Sequence, residues 1–482
     1  MKRIVQKPIT RQPWFYSILL LCATLLFPDF ICFPLCVAAF ILACIDVKRR
    51  GTCISIGRCG VVLMVLLGYA AVSTVYSTDP ANSFATFWMW VCMFLGFLTV
   101  TSVVCTRERL FTALQCLLVT LGAVGGIAVL QYVLRETFGL SVSSKLWESF
   151  EFAVYSFFGF SMDNIDFGER VSGTFYNPNM MAISLAVLLP FCLAYLLSGA
   201  QKKHKAPMRL SVLLAIYALG FSFCRGAYLA MIAVGFLLAL LFIRKRFVIT
   251  VLVALYVLLL VPNSIGNRLL SALPGSIEDN SETVTDMTEN TQTEELEEIV
   301  KPPQTVTQQM SDRYQHDKSI RSRFFIWEKV GINSLRSPLF GAGFGIGSTQ
   351  VTLRAANVNY SHAHNLFLEL FAEGGIVLLG MFCILLCIIA YHALSLLWRC
   401  KEPRARLLGF AMLAAGISIC ILGMFDFPLS TPRNILTFML FVGFSDTAAH
   451  IYLRKPTFAL FASKTVPAQK AKALSKGGMR PS

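Results

Sequence analysis

Three arginines and one histidine in this chain lie in short polar segments that also hold aromatic or glycine residues. They are Arg170, Arg225, Arg323 and His364. Arginine binds phosphate groups through two parallel hydrogen bonds and stays charged at physiological pH. Imidazole exchanges protons near neutral pH, so it can activate a hydroxyl group as a general base. Together these side chains predict a site that binds a phosphorylated substrate and transfers a group from it to a hydroxyl.

Taken singly, each of these residues has a simpler interpretation. Arg170 could pair with Glu169 or Asp166 in a surface loop. Arg323 could contact Glu328 on an exposed helix. Only convergence on one face of the protein favours a shared site over such surface pairs.

Arg225 and His364 are open to two interpretations as well. Arg225 lies in a very short turn between two apolar runs, where it could extend to lipid headgroups. A cation at membrane depth is costly, however, unless it is paired or functional. His364 could cap the helix that follows it or hydrogen-bond to Asn365. His362 lies two residues before His364, and we expect it to matter less for activity than His364.

The elements that position these residues are predicted to be membrane-spanning helices. Of the 482 residues, 56% are hydrophobic and 14% are charged, whereas soluble chains average roughly 25% charged residues. Apolar runs of about 20 residues have the length that crosses a hydrocarbon core. The sequence therefore predicts an all-α polytopic membrane protein with about twelve spans, at residues 14–28, 30–46, 60–76, 84–105, 109–133, 179–198, 208–223, 226–243, 247–262, 365–392, 407–424 and 434–453.

Charge alternates between the predicted connections. One set is rich in lysine and arginine, as at 202–209 and 244–246, and the other contains most of the acids, as at 163–169 and 278–298. Short basic loops stay in the cytoplasm, so the net charge of +15 is interpreted as an orientation signal and not as a nucleic-acid surface. The prediction is a multi-pass protein of the cytoplasmic membrane with both termini in the cytoplasm.

This orientation divides the chain into four parts. Residues 1–262 hold spans 1–9, with an outer loop at 134–178, and residues 263–364 form a large extracytoplasmic loop. Within it, residues 276–311 are acidic, rich in Thr and Gln and nearly free of aromatics, which predicts a flexible insertion. Residues 365–453 hold spans 10–12, and residues 454–482 form a basic cytoplasmic tail.

Glycine recurs at every second position of the outer loop, at Gly341, Gly343, Gly345 and Gly347. A phosphate-binding glycine loop follows a strand and opens a helix in a βαβ unit, and no such context is predicted here. Glycine also permits backbone conformations and close approaches that other residues do not. We therefore expect a tight turn that packs against the membrane domain.

The fifteen cysteines give no signal for a disulfide framework or for a metal. The two long outer loops contain none, although the outer side is where oxidation could maintain disulfides. No CxxC or CxxxH spacing indicates zinc, and Asp163 and Asp166 are expected to lie in a solvated loop. We predict apolar packing roles for the cysteines, and no metal or cofactor.

The location of the candidate residues narrows the substrate. A lipid-linked pyrophosphate lies at the headgroup level, where the predicted outer helix ends lie. Aromatic residues near these ends offer flat faces for sugar rings. The combination favours glycosyl transfer from a polyprenyl-pyrophosphate donor at the outer membrane surface.

The chain resembles the O-antigen ligase superfamily, which also includes repeat-unit polymerases, over roughly residues 60–450. The resemblance rests on the span layout with a long outer loop between spans 9 and 10 and on four motifs. These are Arg170 with Gly173-Thr174-Phe175 and Asn177-Pro178-Asn179; Ser222 and Cys224-Arg225-Gly226; Arg323 with Trp327 and Gly341-x-Gly343-x-Gly345; and His364-Asn365 with Leu368-Glu369 and Glu373-Gly374-Gly375-Ile376.

The resemblance implies a metal-independent, inverting glycosyltransferase of the GT-C type. Arg170 and Arg225 would bind the undecaprenyl-pyrophosphate, and Arg323 would stabilise the departing pyrophosphate or position the acceptor. His364 would activate a hydroxyl of the acceptor glycan. The chain departs from the family pattern at Cys224, where Ser is common, and in its acidic insertion, which could shape acceptor choice.

The resemblance leaves the exact role open. A polymerase joins lipid-linked repeat units to each other, a ligase moves finished glycan to a terminal acceptor, and an oligosaccharyltransferase uses a protein hydroxyl. Two alternatives of other classes are a transporter of a small anion such as bicarbonate and a membrane scaffold without chemistry. Transporters place charges at the membrane midplane, often within internal repeats, and the predicted spans show neither feature clearly.

Overall fold

The computed structural model describes residues 12–138, 170–199, 205–241, 318–355, 360 and 362–461. The predicted span at 247–262, the acidic insertion at 276–311 and most of the predicted outer loop at 134–178 lie outside these residues. In chain order, the helices of the described part are α1 (Pro13–Ala23), α2 (Asp29–Arg50), α3 (Arg58–Tyr76), α4 (Pro80–Val103), α5 (Arg107–Phe138), α6 (Pro178–Leu197), α7 (Lys205–Phe221), α8 (Arg225–Leu241), α9 (Lys318–Ser334), α10 (Gly347–Ala355), α11 (Leu366–Arg399), α12 (Pro403–Phe425) and α13 (Pro432–Leu453).

The described part is consistent with an all-α membrane protein. Eight of its helices, α2–α6 and α11–α13, are long and apolar enough to cross a membrane. The predicted first, seventh and eighth spans correspond to α1, α7 and α8, which have 11, 17 and 17 residues. The α1 helix is shorter than predicted because a 3-10 turn, Thr24–Leu26, ends it before Pro28, and the residue before a proline disfavours helical geometry. Twelve spans remain a prediction.

The centre of the bundle is formed by α6 and α13. In the most apolar stretch of each of these two helices, 83% of the residues are buried inside the protein. The α12 helix packs between α6, α8 and α11, and α13 packs against α4. This arrangement brings the start of α6 and the end of α12, which are far apart in the chain, to the same end of the bundle.

A two-stranded sheet lies at the other end of the bundle. Strand β1 (Ile54–Ile56) pairs antiparallel with β2 (Phe458–Phe461). The side chains of Ile54 and Ile56 are buried while Ser55 between them is more exposed, as expected for a strand with one buried face. The sheet joins the segment before α3 to the segment after α13. Only helices were predicted from the sequence, so the prediction did not include this sheet.

The glycine-rich segment forms the predicted turn, and it packs against the membrane domain. The backbone N–H of Gly343 donates to the carbonyl of Glu373 at 2.9 Å, and the N–H of Thr78 donates to the carbonyl of Ala342 at 2.9 Å. Gly343 has φ +117°, and a Cβ there would lie 2.2 Å from Ser77 Oγ. On the facing helix, Gly375 has φ +62° and breaks the helical geometry of α11. Both positions require glycine, because a side chain would be strained and would collide with the facing segment.

Candidate functional site

Four segments meet at the end of the bundle that is opposite to the β-sheet. They are the chain leading into α6, the turn between α7 and α8, the residues before α11, and the residue that ends α12. Two of these segments are held by side-chain capping. Asn177 Oδ1 accepts the backbone N–H of Asn179 at 2.8 Å at the start of α6. At the start of α11, Asn365 Oδ1 accepts the backbone N–H groups of Phe367 and Leu368 at 3.0 and 3.1 Å. Asn and Asp are preferred at such positions because their side chains satisfy the unpaired N–H groups of a first helical turn.

Arg170 joins two of these segments. Its Nε–H donates to the carbonyl of Ser222 at 2.8 Å, and its Nη2 donates to the Oδ1 of Asn179. The backbone supports the same junction, since the N–H of Val171 donates to the carbonyl of Phe221 at 3.2 Å. Arg170 is therefore held against the α7–α8 turn and the first turn of α6. The acids considered as its surface partners, Glu169 and Asp166, lie outside the described residues.

A hydrogen-bonded chain continues from Arg170 to a buried carboxylate. Asn179 Nδ2 donates to Asp426 Oδ2 at 3.0 Å. Arginine can only donate, so the Oδ1 of Asn179 must face it, and the amide orientation of Asn179 is fixed. Asp426 ends α12 and is 7% exposed. The chain of donors thus runs from the guanidinium to the carboxylate in one direction.

His364 contacts the same carboxylate. Its Nδ1 lies 3.3 Å from Asp426 Oδ1, which also accepts the backbone N–H of Phe427 at 2.9 Å. Burial raises the pKa of Asp426, but its hydrogen bond to His364, its electrostatic interactions with the imidazoles of His364 and His362, and the Phe427 amide outweigh burial and hold that pKa well below its usual value. An ionised carboxylate accepts only, so Nδ1 of His364 carries the proton. In the neutral form of the imidazole, the other ring nitrogen, Nε2, then holds the lone pair.

The backbone of His364 is in the left-handed region, with φ +49°. Its N–H donates to the Nδ1 of His362 at 3.2 Å. His362 is 8% exposed, and its pKa is lowered to about 3 by burial and then by electrostatic interactions with His364 and Arg323, against the opposing effect of Asp426. His362 is therefore a neutral acceptor that supports the turn at His364. This contact gives His362 a structural role, and the expectation that it matters less for activity than His364 stays a prediction.

The residue between the two histidines is held on both sides. The backbone N–H of Ala363 donates to Glu369 Oε2 at 2.6 Å, and its carbonyl accepts from Trp327 Nε1 at 2.9 Å. Glu369 is fully buried in the first turn of α11. Because Glu369 fixes the loop and Asn365 caps the helix, the side chain of His364 serves neither purpose. The helix-capping interpretation of His364 is thus wrong.

Of the remaining two predicted arginines, Arg323 lies close to this cluster, and Arg225 directly follows a residue that does. Arg323, on α9, is near enough to His362 for its charge to lower the pKa of that imidazole, while Glu328 forms its ion pair with Lys329 at 3.4 Å. Arg225 is the first residue of α8. It follows Cys224, whose thiol pKa is raised mainly by burial and also responds to the charges of Arg170 and Asp426.

Sequence reasoning did not assign roles to Asn179 and Asp426, and it overlooked Arg433. Arg433 is 1% exposed and pairs with Asp29 at 2.6 Å. It also donates to the carbonyl of Thr174 at 2.5 Å and lies 4.2 Å from the centre of the Phe175 ring. This arginine fixes the segment between Arg170 and α6. The available signal was an acid directly after the end of one apolar run and an arginine directly before the next apolar run.

The cluster has two chemical capabilities. The imidazole of His364, oriented by Asp426, can act as a general base. Alternatively, donor atoms of His362, His364 and Asp426 lie within 4.8 Å of one another and could hold a divalent metal ion. The positive charges of Arg170 and Arg323 favour a negatively charged substrate beside this cluster.

Comparison with known proteins gives one family. None of the curated proteins compared with the chain matches it. The model of a family described as O-Antigen ligase matches residues 210–383, a segment that contains Arg225, Arg323 and His364, whereas Arg170 and Asp426 lie outside it. The match supports O-antigen ligase-like function in polysaccharide biosynthesis for this multi-pass membrane protein. The match to residues 210–383 thus supports placing the chain in an O-antigen ligase-like superfamily.

Proposed function

We propose that the protein is a metal-independent, inverting glycosyltransferase of cell-surface polysaccharide biosynthesis. Its donor is an undecaprenyl-pyrophosphate-linked glycan, its acceptor is a hydroxyl of a second glycan, and it acts at the outer face of the cytoplasmic membrane. The observation that supports this proposal best is the continuous connection from Arg170 through Asn179 to Asp426 and His364. This connection joins Arg170, which can bind phosphate, to His364, which can activate a hydroxyl.

Binding of the donor is assigned to the arginines. Arg170 and Arg225 bind the pyrophosphate while the polyprenyl tail remains in the outer leaflet. Arg323 stabilises the departing pyrophosphate or positions the acceptor. Pyrophosphate paired with guanidinium groups is a good leaving group, because these charges stabilise the negative charge that develops as the glycosidic bond breaks. No general acid is required.

Transfer to the acceptor is assigned to His364. The lone pair of Nε2 takes the proton of the acceptor hydroxyl as its oxygen attacks the anomeric carbon. The new C–O bond forms on the face opposite to the pyrophosphate, the bond to the pyrophosphate breaks, and the configuration inverts. Asp426 stabilises the imidazolium that forms and keeps Nδ1 protonated, and the proton then passes to water.

The test is glycan transfer in vesicles that contain the purified full-length protein. We expect His364→Ala to lower the rate by roughly 100-fold or more, the usual contribution of a general base. His450→Ala is the matched control, because His450 is an exposed histidine near the end of α13. An unchanged rate in His364→Ala would remove this residue from the mechanism.

The same assay distinguishes a polymerase from a ligase. Lipid-linked repeat units supplied alone will give longer chains if the protein is a polymerase, and no product without an added acceptor if it is a ligase. A protein acceptor tests the oligosaccharyltransferase role. No observation on the described residues supports transport of a small anion. Transporters place their charged residues near the membrane midplane, whereas the cationic cluster of the described part lies at helix ends.

The metal alternative is tested at His362. In His362→Asn, the amide oxygen can still accept the backbone N–H of His364 but a strong metal ligand is lost. If His364 is a base, this variant keeps activity within about tenfold of the native protein. Loss of activity as complete as in His364→Ala, with recovery at raised Zn²⁺ concentration, would favour a metal mechanism at this cluster.

A further inference from the structure

A second cluster of chemically active side chains lies at the opposite end of the bundle. Cys59 near the start of α3, His392 in α11 and Asp446 in α13 place their ligand atoms within 4.8 Å of one another. Their exposed fractions are 0%, 1% and 4%. None of these residues belongs to the site described above, and the three helices approach the cluster from different parts of the chain.

The imidazole of His392 is the most informative member. Among the residues that the structure describes, neither Nδ1 nor Nε2 finds a hydrogen-bond partner, although His392 is almost completely buried. Buried polar atoms are nearly always paired, because an unpaired group loses its contacts with water and gains nothing in return. An imidazole beside a thiol and a carboxylate has an obvious alternative partner, which is a metal ion.

The carboxylate of Asp446 is already fixed in position. One of its oxygens, Oδ2, accepts the backbone N–H of Gly57 at 2.7 Å. Gly57 is closely packed there, since a Cβ would lie 2.3 Å from the carboxylate of Asp446. The backbone of the segment before α3 therefore holds this carboxylate beside Cys59, as a supporting contact holds a metal ligand.

From these observations we propose that Cys59, His392 and Asp446 bind a Zn²⁺ ion. Zinc accepts this mixture of sulfur, nitrogen and oxygen ligands and commonly takes three protein ligands with water in a fourth position. Binding forms a Zn–S bond and displaces the thiol proton to solvent. One thiolate and one carboxylate then neutralise the ion, which lowers the cost of holding it in a buried site and offsets the repulsion from Arg58 and Lys455 nearby.

The proposed ion would link α3, α11 and α13 at the end where the β-sheet lies. The three ligands are distant in sequence, so no short spacing motif reveals them. Cys59 is thereby distinguished from a cysteine such as Cys36, which is also buried but does not belong to a group of potential ligands in the described residues. The site is independent of the proposed glycosyl transfer.

The experiment uses the purified full-length protein, stripped with a chelator and titrated with Zn²⁺ or Co²⁺. We expect one equivalent to bind. Co²⁺ should give a thiolate charge-transfer band that is absent in Cys59→Ser and present in the matched control Cys36→Ser. His392→Gln should weaken Zn²⁺ binding by at least about tenfold, since loss of even an indirect contact to a metal ligand costs this much.

A second measurement protects the test against variants that fail to fold. In the native protein, Zn²⁺ should raise the unfolding midpoint, and it should slow the alkylation of Cys59 identified by peptide mapping. The proposal is overturned if the native protein binds no Zn²⁺, or if Cys59→Ser keeps the Co²⁺ band. In either case the three residues are not a zinc site, and glycan transfer and its dependence on His364 would be unaffected.

Discussion

Replacement of Asp426 by asparagine tests the link between the carboxylate and the imidazole. Asp426 accepts three hydrogen bonds: from His364 and the Phe427 amide at Oδ1, and from Asn179 at Oδ2. In Asp426→Asn, one oxygen becomes an NH₂ group. In one orientation this donor group faces the NH₂ of Asn179, which is also a donor. In the other orientation it faces His364 and the N–H of Phe427, which both donate to Asp426 in the native protein. Asn179 cannot rotate to compensate, because its oxygen accepts from Arg170.

The magnitude follows from the lost hydrogen bond. A hydrogen bond to a charged group contributes about 1.5–3 kcal/mol, and about 1.4 kcal/mol corresponds to a tenfold change in rate. When the amide NH₂ faces the ring, His364 can pair with it only by accepting at Nδ1. This tautomer carries its proton on Nε2 and cannot act as a base. We therefore expect the rate of glycan transfer to fall by about 10- to 100-fold.

The assay is single-turnover transfer from the lipid-linked donor, with donor binding measured separately. Asp426→Asn should lower the rate of the chemical step and change donor affinity little, and Glu328→Gln on the exposed face of α9 is the matched control. The double variant with His364→Ala should be no slower than His364→Ala alone, because Asp426 acts through that ring. A full rate in Asp426→Asn, or additive losses in the double variant, would refute the reasoning.

Three further predictions concern Arg225, Gly343 and His362. Arg225→Lys should weaken donor binding by about tenfold or more, because an ammonium lacks the paired donors of guanidinium; full activity would count against a pyrophosphate contact. Gly343→Ala should destabilise the fold by at least about 2 kcal/mol, from its positive φ and the collision with Ser77, whereas Gly331→Ala, where a Cβ meets nothing within 4 Å, should not. Acid should destabilise the fold through His362, because its pKa is about 3 in the folded protein instead of 6.5. As the pH falls, the unfolded chain takes up the proton before the folded protein does. The free energy of unfolding should therefore fall by roughly 1 kcal/mol per pH unit between about pH 6 and 4. Denaturant unfolding of His362→Asn across this range should show a smaller pH dependence.

The sequence predicted the helices well where long apolar runs stood alone. The boundaries of α3 and α13 agree with the predicted spans to within two residues at each end. Length, apolar composition and flanking charge suffice for this, because the cost of placing polar groups in lipid is a local property of each segment. The glycine-rich turn was also predictable, since four glycines at alternate positions have few other uses.

The sequence also determined which residues to examine, although not how they are joined. It singled out Arg170, Arg225, Arg323 and His364 by residue type and by resemblance to a family. Asp426 was no more than one acid in an acid-rich set of connections. Only the packing of α12 against α6 and α11 shows that this carboxylate accepts from His364 and Asn179. Likewise, only the packing of α3, α11 and α13 places Cys59 beside His392.

The physical reason is the difference between local and long-range free energies. Helix formation and membrane insertion depend on neighbouring residues, and they can be summed along the chain. Hydrogen bonds such as that between Asp426 and His364 require donors and acceptors from distant segments to meet within about 3 Å. That meeting depends on how whole helices pack, which no local pattern specifies. The sequence by itself determined a helical membrane protein with candidate cationic residues near helix ends, and the tertiary structure decided which of them lie together.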